Sequence, residues 1–466
     1  MAGHQLTDNK IIVLDFGGQG NHLVARRVRA LKAYAEILPA KVTLERILAA
    51  NPLGIILVGQ PMAHDQIQGE KLVASLLSVD IPLLALGNWP GQAVIKSGGI
   101  LVKQQGACPM EVASGNARVV YSLEALPSMD DEVGIDILTH FIYEVCKCQP
   151  NWTMAAFVEY CIENIRQGVG DAPVICGLSG GVDSTVAAAL VHRAIGDQLH
   201  SVFVDNGFMR KHEVDEVIEI FEPFFGDNFV AVDASARFLR QVAGVVDPEA
   251  KRKIIGTEFI RVFEEEAAKI GSIQYLVQGT VYPDVVESGA GEAALVKSHH
   301  NVGGLPEEME LGLIEPLRWL FKEEVREVGG ILGLPDELVW RQPFPGPGLA
   351  VRIIGEITPA RLDILRDADF ILRDEIKKAG LEREIWQYFA VLTDVRTVGV
   401  QEQQRAYGYT VGIRAVHSTD GMLASWAHIP FGVLEKISQR IMAEVRDVNR
   451  VVYDISSKPP ATIEWE

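Results

Sequence analysis

The stretch VICGLSGGVDSTVAAAL at residues 174–190 constrains the fold of this chain more than any other. Its apolar start is long enough for a buried strand, and its alanine-rich end is typical of a helix. Gly177, Gly180 and Gly181 form the turn between them, where a ligand can approach the main chain. Because the first N–H groups of a helix have no partner within it, this arrangement predicts an anion-binding site.

The spacing of this loop distinguishes it from the common phosphate-binding loops. No Gly-Lys-Ser/Thr follows the glycines, and they do not form G-x-G-x-x-G. Residues 179–184, SGGVDS, resemble the SGGxDS loop of the N-type ATP pyrophosphatases, which adenylate a substrate and release pyrophosphate. An ordinary glycine-rich turn before a helix is the alternative. The residues expected to bind ATP are Ser179, Gly180, Gly181, Val182, Asp183, Ser184, Val204 and Gly279.

Length and composition limit the class of protein. At about 150 residues per domain, 466 residues indicate about three domains, and a hydrophobic fraction of 48% is typical of globular proteins. Without a run of about 20 apolar residues or a signal peptide, we expect a cytoplasmic protein with no membrane partner. The five cysteines show no framework spacing, which suits a reducing compartment. A net charge of −19 argues against nucleic-acid partners.

Residues 1–150 are predicted to form a parallel α/β domain, because short apolar runs alternate with a helical pattern. The predicted strands are 11–15, 55–58 and 82–86, and the predicted helix is 21–32.

The opening of this domain resembles a known family, but the residues for its chemistry are missing. DFGGQ at 15–19 and ARRVR at 25–29 are similar to the start of the flavodoxin-like class I glutamine amidotransferase domain of the GMP synthase family. Where that family has a cysteine nucleophile and a histidine base, this chain has Gly87 and Ser122. Thiolate attack needs both groups, so we predict no glutaminase activity. Cys108, the first cysteine of the chain, is expected to be a buried structural thiol.

Beyond this domain the resemblance to the GMP synthase family is nearly continuous. QPNWTM at 149–154 marks the boundary, and residues 151–345 are predicted as the ATP pyrophosphatase domain, with an adenine nucleotide alpha hydrolase-like parallel sheet. The basic cluster DPEAKRK at 247–253 is similar to a segment of the family, which makes Arg252 a candidate nucleotide ligand. A solvated helix face is the alternative. Other predicted elements are a helix capped by Thr153, a strand at 199–205 and a helix at 316–333.

Two further segments carry candidate catalytic residues. Asp284 follows a predicted strand and, with Asp183, is a candidate Mg²⁺ ligand, because this ion favours carboxylate oxygens. Lys297, His299 and His300 lie in a segment that the family uses as a lid over its nucleotides. A mobile cation there suits stabilisation of the departing pyrophosphate. A solvated surface loop is the alternative interpretation.

Residues 346–466 are predicted as an α+β domain, which by resemblance is the dimerisation domain of the family. The stretch RQPFPGPGL at 341–349 is typical of a connector between domains. Ile463 and Trp465 predict that the tail is docked. Departures from the family pattern lie at 401–405, 417 and 421. The predicted elements are strands 390–392 and 410–416 and helices 358–379 and 431–445. The residues matched to nucleotide binding are Gln387, Arg450, Lys458, Ile463 and Glu464.

Three hypotheses of function follow from the resemblance. The first is a ligase that adenylates the C2 oxygen of xanthosine 5′-phosphate (XMP) with ATP and Mg²⁺ and aminates it with free ammonia. The second keeps adenylation but uses a related purine nucleotide or another nucleophile, as the changed loop at 401–405 suggests. The third is a non-catalytic nucleotide-binding regulator, against which the intact loop, lid and tail argue. A homodimer is the expected assembly, and a separate glutaminase partner stays open.

Overall fold

A computed structural model describes residues 6–7, 9–17, 20–59, 66–76, 78–86, 100–103, 119–123, 132–287, 296–297, 311–401, 404–418, 421 and 423–466. The chain divides into two compact units. The first comprises Met1–Asn164, Val281–Ala293 and Trp319–Glu324, and the second comprises Ile165–Thr280, Ala294–Arg318 and Val325–Glu466.

The α-helices of the described residues are numbered here in chain order. They are α1 Asn21–Ala30, α2 Leu44–Ala49, α3 Gln66–Leu76, α4 Glu132–Thr139, α5 Met154–Val169, α6 Val182–Ile195, α7 Glu213–Phe225, α8 Ser235–Gln241, α9 Pro248–Ile270, α10 Tyr282–Glu287, α11 Lys322–Ile331, α12 Asp336–Val339, α13 Pro359–Lys378 and α14 Phe431–Glu444, with a π-helix at His140–Val145. None of the helices described combines the length and the apolar character needed to cross a bilayer.

The first unit contains a six-stranded parallel sheet in the order β2-β1-β3-β4-β6-β5. Ile11 and Val13 of β1 pack into one apolar cluster, while Ile12 and Leu14 pack into another. Burial on both faces explains why residues 11–14, 55–58 and 83–86 are continuously apolar. The predicted parallel α/β fold is confirmed. The strands are β1 Lys10–Asp15, β2 Tyr34–Pro39, β3 Gly54–Val58, β4 Leu83–Leu86, β5 Ile100–Lys103 and β6 Val119–Leu123.

The second unit contains a six-stranded sheet in the order β11-β12-β10-β7-β8-β9, parallel except for β11. The order reverses between β7 and β10, and ligands of open α/β sheets bind beyond the carboxyl ends of the strands at such a point. The strands are β7 Val174–Leu178, β8 Leu199–Asp205, β9 Phe229–Asp233, β10 Tyr275–Val277, β11 Val296–Lys297 and β12 Gly312–Ile314.

The second unit also contains a sheet built on a long antiparallel hairpin. Its strands are β13 Gln387–Gln401, β14 Gln404–His417, the short β15 Ser425–Trp426 and β16 Val448–Asp454, which runs parallel to β14. Together with α13 and α14 they form the predicted α+β arrangement. Thr358 caps α13 by accepting from the Arg361 N–H at 3.3 Å, at the predicted helix start.

Several predicted boundaries differ from the structure for local reasons. Helix α1 ends at Ala30 because Lys32 has a φ of 62°, outside the helical region. The sequence predicted that the turn after β7 begins at Gly177. In the structure Gly177 and Leu178 still belong to β7, because both pair with β8. Helix α11 begins at Lys322 rather than at 316. The Glu324 carboxylate accepts from the Phe321 N–H at 2.8 Å, which fixes the helix start there.

Candidate nucleotide-binding sites

The loop after β7 is held in place by its own hydroxyl groups. Ser184 Oγ accepts from the Ser179 N–H at 3.2 Å and lies 3.0 Å from Ser179 Oγ. Thr185 Oγ1 donates to the Gly181 carbonyl at 2.8 Å. Gly180 has a φ of +72°, a backbone conformation that residues other than glycine rarely adopt. The loop is therefore preformed, with the N-terminus of α6 directly behind it.

Gly279, which follows β10, packs directly on the first turn of α6. A Cβ atom at this position would lie 3.0 Å from both the Asp183 carbonyl carbon and the Ser184 nitrogen. The absence of a side chain lets the segment after β10 lie close against the first turn of α6 at the reversal of strand order. The structure thus brings together Gly279, Asp183 and Ser184, three of the residues predicted to bind ATP.

The end of β8 lies beside this loop in the sheet. Val204 is 3% exposed and belongs to the apolar core of the unit. Asp205 accepts from the Gly207 N–H at 2.8 Å, and burial raises the pKa of this carboxyl, an effect that nearby Asp233 reinforces. Arg366 donates to the Gly207 carbonyl at 2.7 Å. The turn after β8 is therefore fixed from both sides.

Sequence reasoning missed Arg341 as a contact of the candidate ATP-binding loop Ser179–Ser184, called the ATP loop below. Its Nη1 donates to the Gly180 carbonyl at 2.7 Å, and its Nη2 lies 3.4 Å from Glu213 and 3.7 Å from Glu216. The sequence identified Arg341 only as the start of a connector. No local pattern links it to a loop 161 positions away.

The remaining catalytic candidates are only partly described. Asp284 is exposed and accepts from the Val281 N–H at 3.0 Å at the start of α10. It belongs to the first unit, whereas Asp183 belongs to the second. Lys297 pairs with Leu313 in the sheet, while His299 and His300 lie outside the described residues. Among the side chains that the structure describes, no cluster of three or more His, Cys, Asp or Glu is placed to hold a metal ion.

Of the two positions matched to the glutaminase nucleophile and base of the family, the structure describes Ser122. Ser122 lies in β6, where its backbone pairs with Ala85 and Lys103. Gly87 and Cys108 lie outside the described residues.

The C-terminal tail is docked through Glu464. Arg352, which is fully buried, donates to both Glu464 oxygens at 2.8 and 3.0 Å. Gln387 Nε2 donates to Glu464 Oε1 at 3.2 Å. The sequence had matched both Gln387 and Glu464 to nucleotide binding, and the structure places them in contact. Buried Arg352 was missed, because its partner is distant in sequence.

The last residues of the tail bind further basic side chains. Lys251 donates to Glu466 and to the Ile353 carbonyl at 2.7 Å, and burial lowers the pKa of this amine although Glu466 opposes the effect. Arg252 donates to the Glu466 carbonyl. The Trp465 indole donates to Asp454 at 3.0 Å. Docking of the tail is thereby confirmed.

Three other predicted nucleotide ligands are placed around the tail and β16. Arg414 donates to the Ile463 carbonyl at 3.3 Å, so this residue is held by its main chain. Lys458 Nζ donates to the Gly421 carbonyl at 2.8 Å. Arg450 Nε donates to Thr397 Oγ1 at 3.3 Å, on an exposed part of the sheet.

A parallel sheet with an SGGVDS loop at its reversal point defines the class as a PP-loop ATP-dependent ligase. Residues 154–251 match the family profile described as NAD synthase, and residues 374–465 match that of the GMP synthase C terminal domain. Enzymes named GMP synthase [glutamine-hydrolyzing] are similar over nearly the whole chain. That of Carboxydothermus hydrogenoformans is 49% identical, covering 98% of this chain and 100% of the relative. Those of Alkaliphilus metalliredigens and Clostridium perfringens are 48% and 47% identical, each covering 98% of this chain and 99% of the relative. The chain belongs to the GMP synthase family.

The same alignment shows that this chain is short for its family. The comparison with the Carboxydothermus enzyme spans 510 aligned positions, which exceed the 466 residues of the chain by 44. At least 44 positions of that relative therefore have no counterpart here.

Proposed function

We propose that this ligase binds ATP on the loop Ser179–Ser184 and uses it to adenylate XMP, which free ammonia then converts to GMP. The observation that carries the proposal is the preformed loop at the reversal of strand order, where a Cβ atom on Gly279 would lie 3.0 Å from the Asp183 carbonyl carbon and the Ser184 nitrogen. The N-terminal N–H groups and dipole of α6 suit the phosphate charges.

The oxygen donors at the loop fit Mg²⁺, which prefers carboxylate and hydroxyl oxygens. Asp183 would hold the ion together with phosphate oxygens. When bound, Mg²⁺ shields the charge of the phosphates. Lys297, His299 and His300 would stabilise the departing pyrophosphate as a cationic, hydrogen-bonding lid.

The two chemical steps balance without a covalent enzyme intermediate. The C2 oxygen of XMP attacks the α-phosphorus of ATP, a P–O bond forms and the bond to pyrophosphate breaks. The nitrogen of ammonia then attacks C2, AMP leaves with the oxygen, and the nitrogen releases one proton to give the amino group of GMP. The protein positions the reactants and the charges. Gln387, Ile463 and Glu464 would hold the purine, and Arg252, Arg450 and Lys458 the phosphate.

The proposed nitrogen source is free ammonia rather than glutamine. The relatives carry the name glutamine-hydrolyzing, yet Gly87 and Ser122 stand here where the family has its nucleophile and base. Neither side chain supplies a thiolate or an imidazole. Ammonia would then come from solution or from a separate glutaminase partner. We place the enzyme in the cytoplasm as a homodimer.

The test is pyrophosphate release and GMP formation from ATP, Mg²⁺ and XMP, with ammonium or with glutamine as the nitrogen source. We expect turnover with ammonium and none with glutamine. Asp183→Asn serves as the inactive control. Turnover with glutamine at a comparable rate contradicts the loss of the glutaminase. Pyrophosphate release without GMP indicates another nucleophile, and no release with any nitrogen source contradicts XMP as the substrate.

A further inference from the structure

The segment Arg341–Phe344, here called the connector, touches both candidate nucleotide sites of the second unit. At one end Arg341 donates to the Gly180 carbonyl of the ATP loop at 2.7 Å. At the other end the Pro343 carbonyl accepts from Gln387 Nε2 at 3.1 Å. Four consecutive residues thus span the distance between the ATP loop and the residues matched to purine binding.

On the ATP side the connector fixes the orientation of the Gly180 peptide group within the ATP loop. Gly180 has a φ of +72°, and its carbonyl faces the Arg341 guanidinium. The guanidinium is itself fixed, because it lies 3.4 Å from Glu213, which is 3% exposed, and 3.7 Å from Glu216. A planar fork with several donors serves three acceptors at once, which a lysine amine on its flexible stem does poorly.

On the purine side the connector fixes Gln387 from two directions. Gln342 Oε1 accepts from the backbone N–H of Tyr388 at 2.8 Å. The Gln387 amide is shared between the Pro343 carbonyl and Glu464, at 3.1 and 3.2 Å. Phe344 lies against Arg352, with 5.2 Å between the guanidinium and the ring centre, and Arg352 in turn holds Glu464. A shift of the connector therefore displaces both Gln387 and Glu464.

We propose that Arg341 is a positioning residue and that the connector couples the two sites, so that ATP and the purine nucleotide each tighten the binding of the other. The inference rests on the proposed function for the identity of the second ligand. Proline fixes its own φ, so Pro343 stiffens the segment and limits how far a displacement at one end is absorbed before the other. Because coupling between binding sites is reciprocal, the same factor applies to both ligands.

The test measures the dissociation constant of XMP without and with α,β-methylene-ATP, which cannot release pyrophosphate. For the unaltered enzyme we expect the analogue to tighten XMP binding about fivefold or more, the usual range of such coupling. In Arg341→Lys we expect this factor to fall to about one and the KM for ATP to rise, while XMP binding alone is unchanged. Gln342→Leu should also lose the coupling, whereas Gln342→Glu keeps the acceptor oxygen and should retain it.

Arg383→Gln is the matched control. Arg383 is an exposed arginine near Trp340 that pairs with Asp336 at 3.0 Å. The coupling factor of Arg383→Gln should equal that of the unaltered enzyme. A coupling factor of one in the unaltered enzyme, or an undiminished factor in both Arg341→Lys and Gln342→Leu, overturns the inference.

Two complications have separate readouts. If Arg341→Lys does not fold, as judged by circular dichroism, the pair Gln342→Leu and Gln342→Glu decides the question. If the unaltered enzyme does not bind XMP, the proposed function fails. The affinity of Arg341→Lys for the ATP analogue alone then tests the positioning role: a loss of about tenfold supports it, and an unchanged affinity overturns it.

Discussion

Gly279 is the residue at which the sequence motif and the packing of the ATP loop can be tested together. Replacing it with alanine places a Cβ atom 3.0 Å from the backbone of Asp183 and Ser184, tighter than nine in ten real Cβ contacts. The first turn of α6 must then shift by a few tenths of an ångström, which turns its N–H groups away from their best direction toward the phosphates. We expect Gly279→Ala to raise the KM for ATP at least about tenfold, measured by steady-state pyrophosphate release.

The matched control is Gly256→Ala, in the middle of α9. A Cβ atom there meets nothing within 4 Å, so the KM for ATP should stay unchanged. The helix should become more stable by about 0.5–1 kcal/mol, because alanine restricts the unfolded chain. An unchanged KM for ATP in Gly279→Ala contradicts the assignment of this residue to the ATP site.

The difference between predicted and missed site residues has a physical origin. The loop Ser179–Ser184 was predictable because its motif is continuous in sequence and its hydroxyl groups form their hydrogen bonds within the same few residues. Arg341 and Arg352 were not, because their partners lie 161 and 112 positions away. An isolated arginine near a proline carries no local sign of a distant acceptor.

The docked tail contributes to the stability of the second unit through the ion pair between Arg352 and Glu464. Arg352 is fully buried and also stacks on Phe389, with 3.9 Å to the ring centre. Glu464→Gln removes the charge that neutralises this arginine while keeping the shape of the side chain. Since an uncompensated buried charge is costly, we expect the free energy of unfolding to fall by about 3 kcal/mol, measured by denaturant unfolding.

Glu144→Gln is the control for a solvated pair. Glu144 and Lys147 are 3.4 Å apart with side chains 65% and 71% exposed, so its loss should change stability by less than about 0.5 kcal/mol. If Glu464→Gln is as stable as Glu144→Gln, the pair with Arg352 does not hold the tail.

The hairpin β13–β14 shows where periodicity underestimates an element. Only 390–392 and 410–416 were predicted, whereas the strands have 15 and 14 residues. The predicted parts are the buried ones, where Leu392 and Val411 join the core. The outer halves expose Val395, Val398, Val400 and Tyr407 among polar residues and glycines, so backbone pairing extends the strands without an apolar run.

At the scale of the whole molecule, chain length predicted about three domains but gave no information on how their apolar cores are divided. Ile175 and Val202, in the sheet of β7–β12, belong to the same apolar cluster as Leu392 and Val411, in the sheet of β13–β16. Within the second unit, residues before and after 345 therefore contribute to one apolar cluster. The Pro/Gly-rich stretch 341–349 connects two sheets whose apolar residues pack together in that cluster.

The exposed end of the hairpin is the surface that we expect to form the homodimer. Val398 lies opposite Tyr407 across the two strands, and Val400 shares their face because side chains alternate along a strand. The exposed fractions of Val398, Val400 and Tyr407 are 49%, 76% and 68%. A contiguous apolar stripe of this kind marks an interaction surface.

Val400→Lys places a charge within this stripe without disturbing the core, since the side chain is exposed. We expect the dimer to weaken at least about tenfold, a change of about 1.4 kcal/mol, measured by sedimentation equilibrium. Val246→Lys, at a separate residue that is 58% exposed, should leave the dimer intact. A monomeric unaltered enzyme, or a dimer of the same affinity in Val400→Lys, excludes the hairpin as the interface. Because Gln387 lies at the start of the same strand, the catalytic rate of Val400→Lys also shows whether dimerisation supports the purine site.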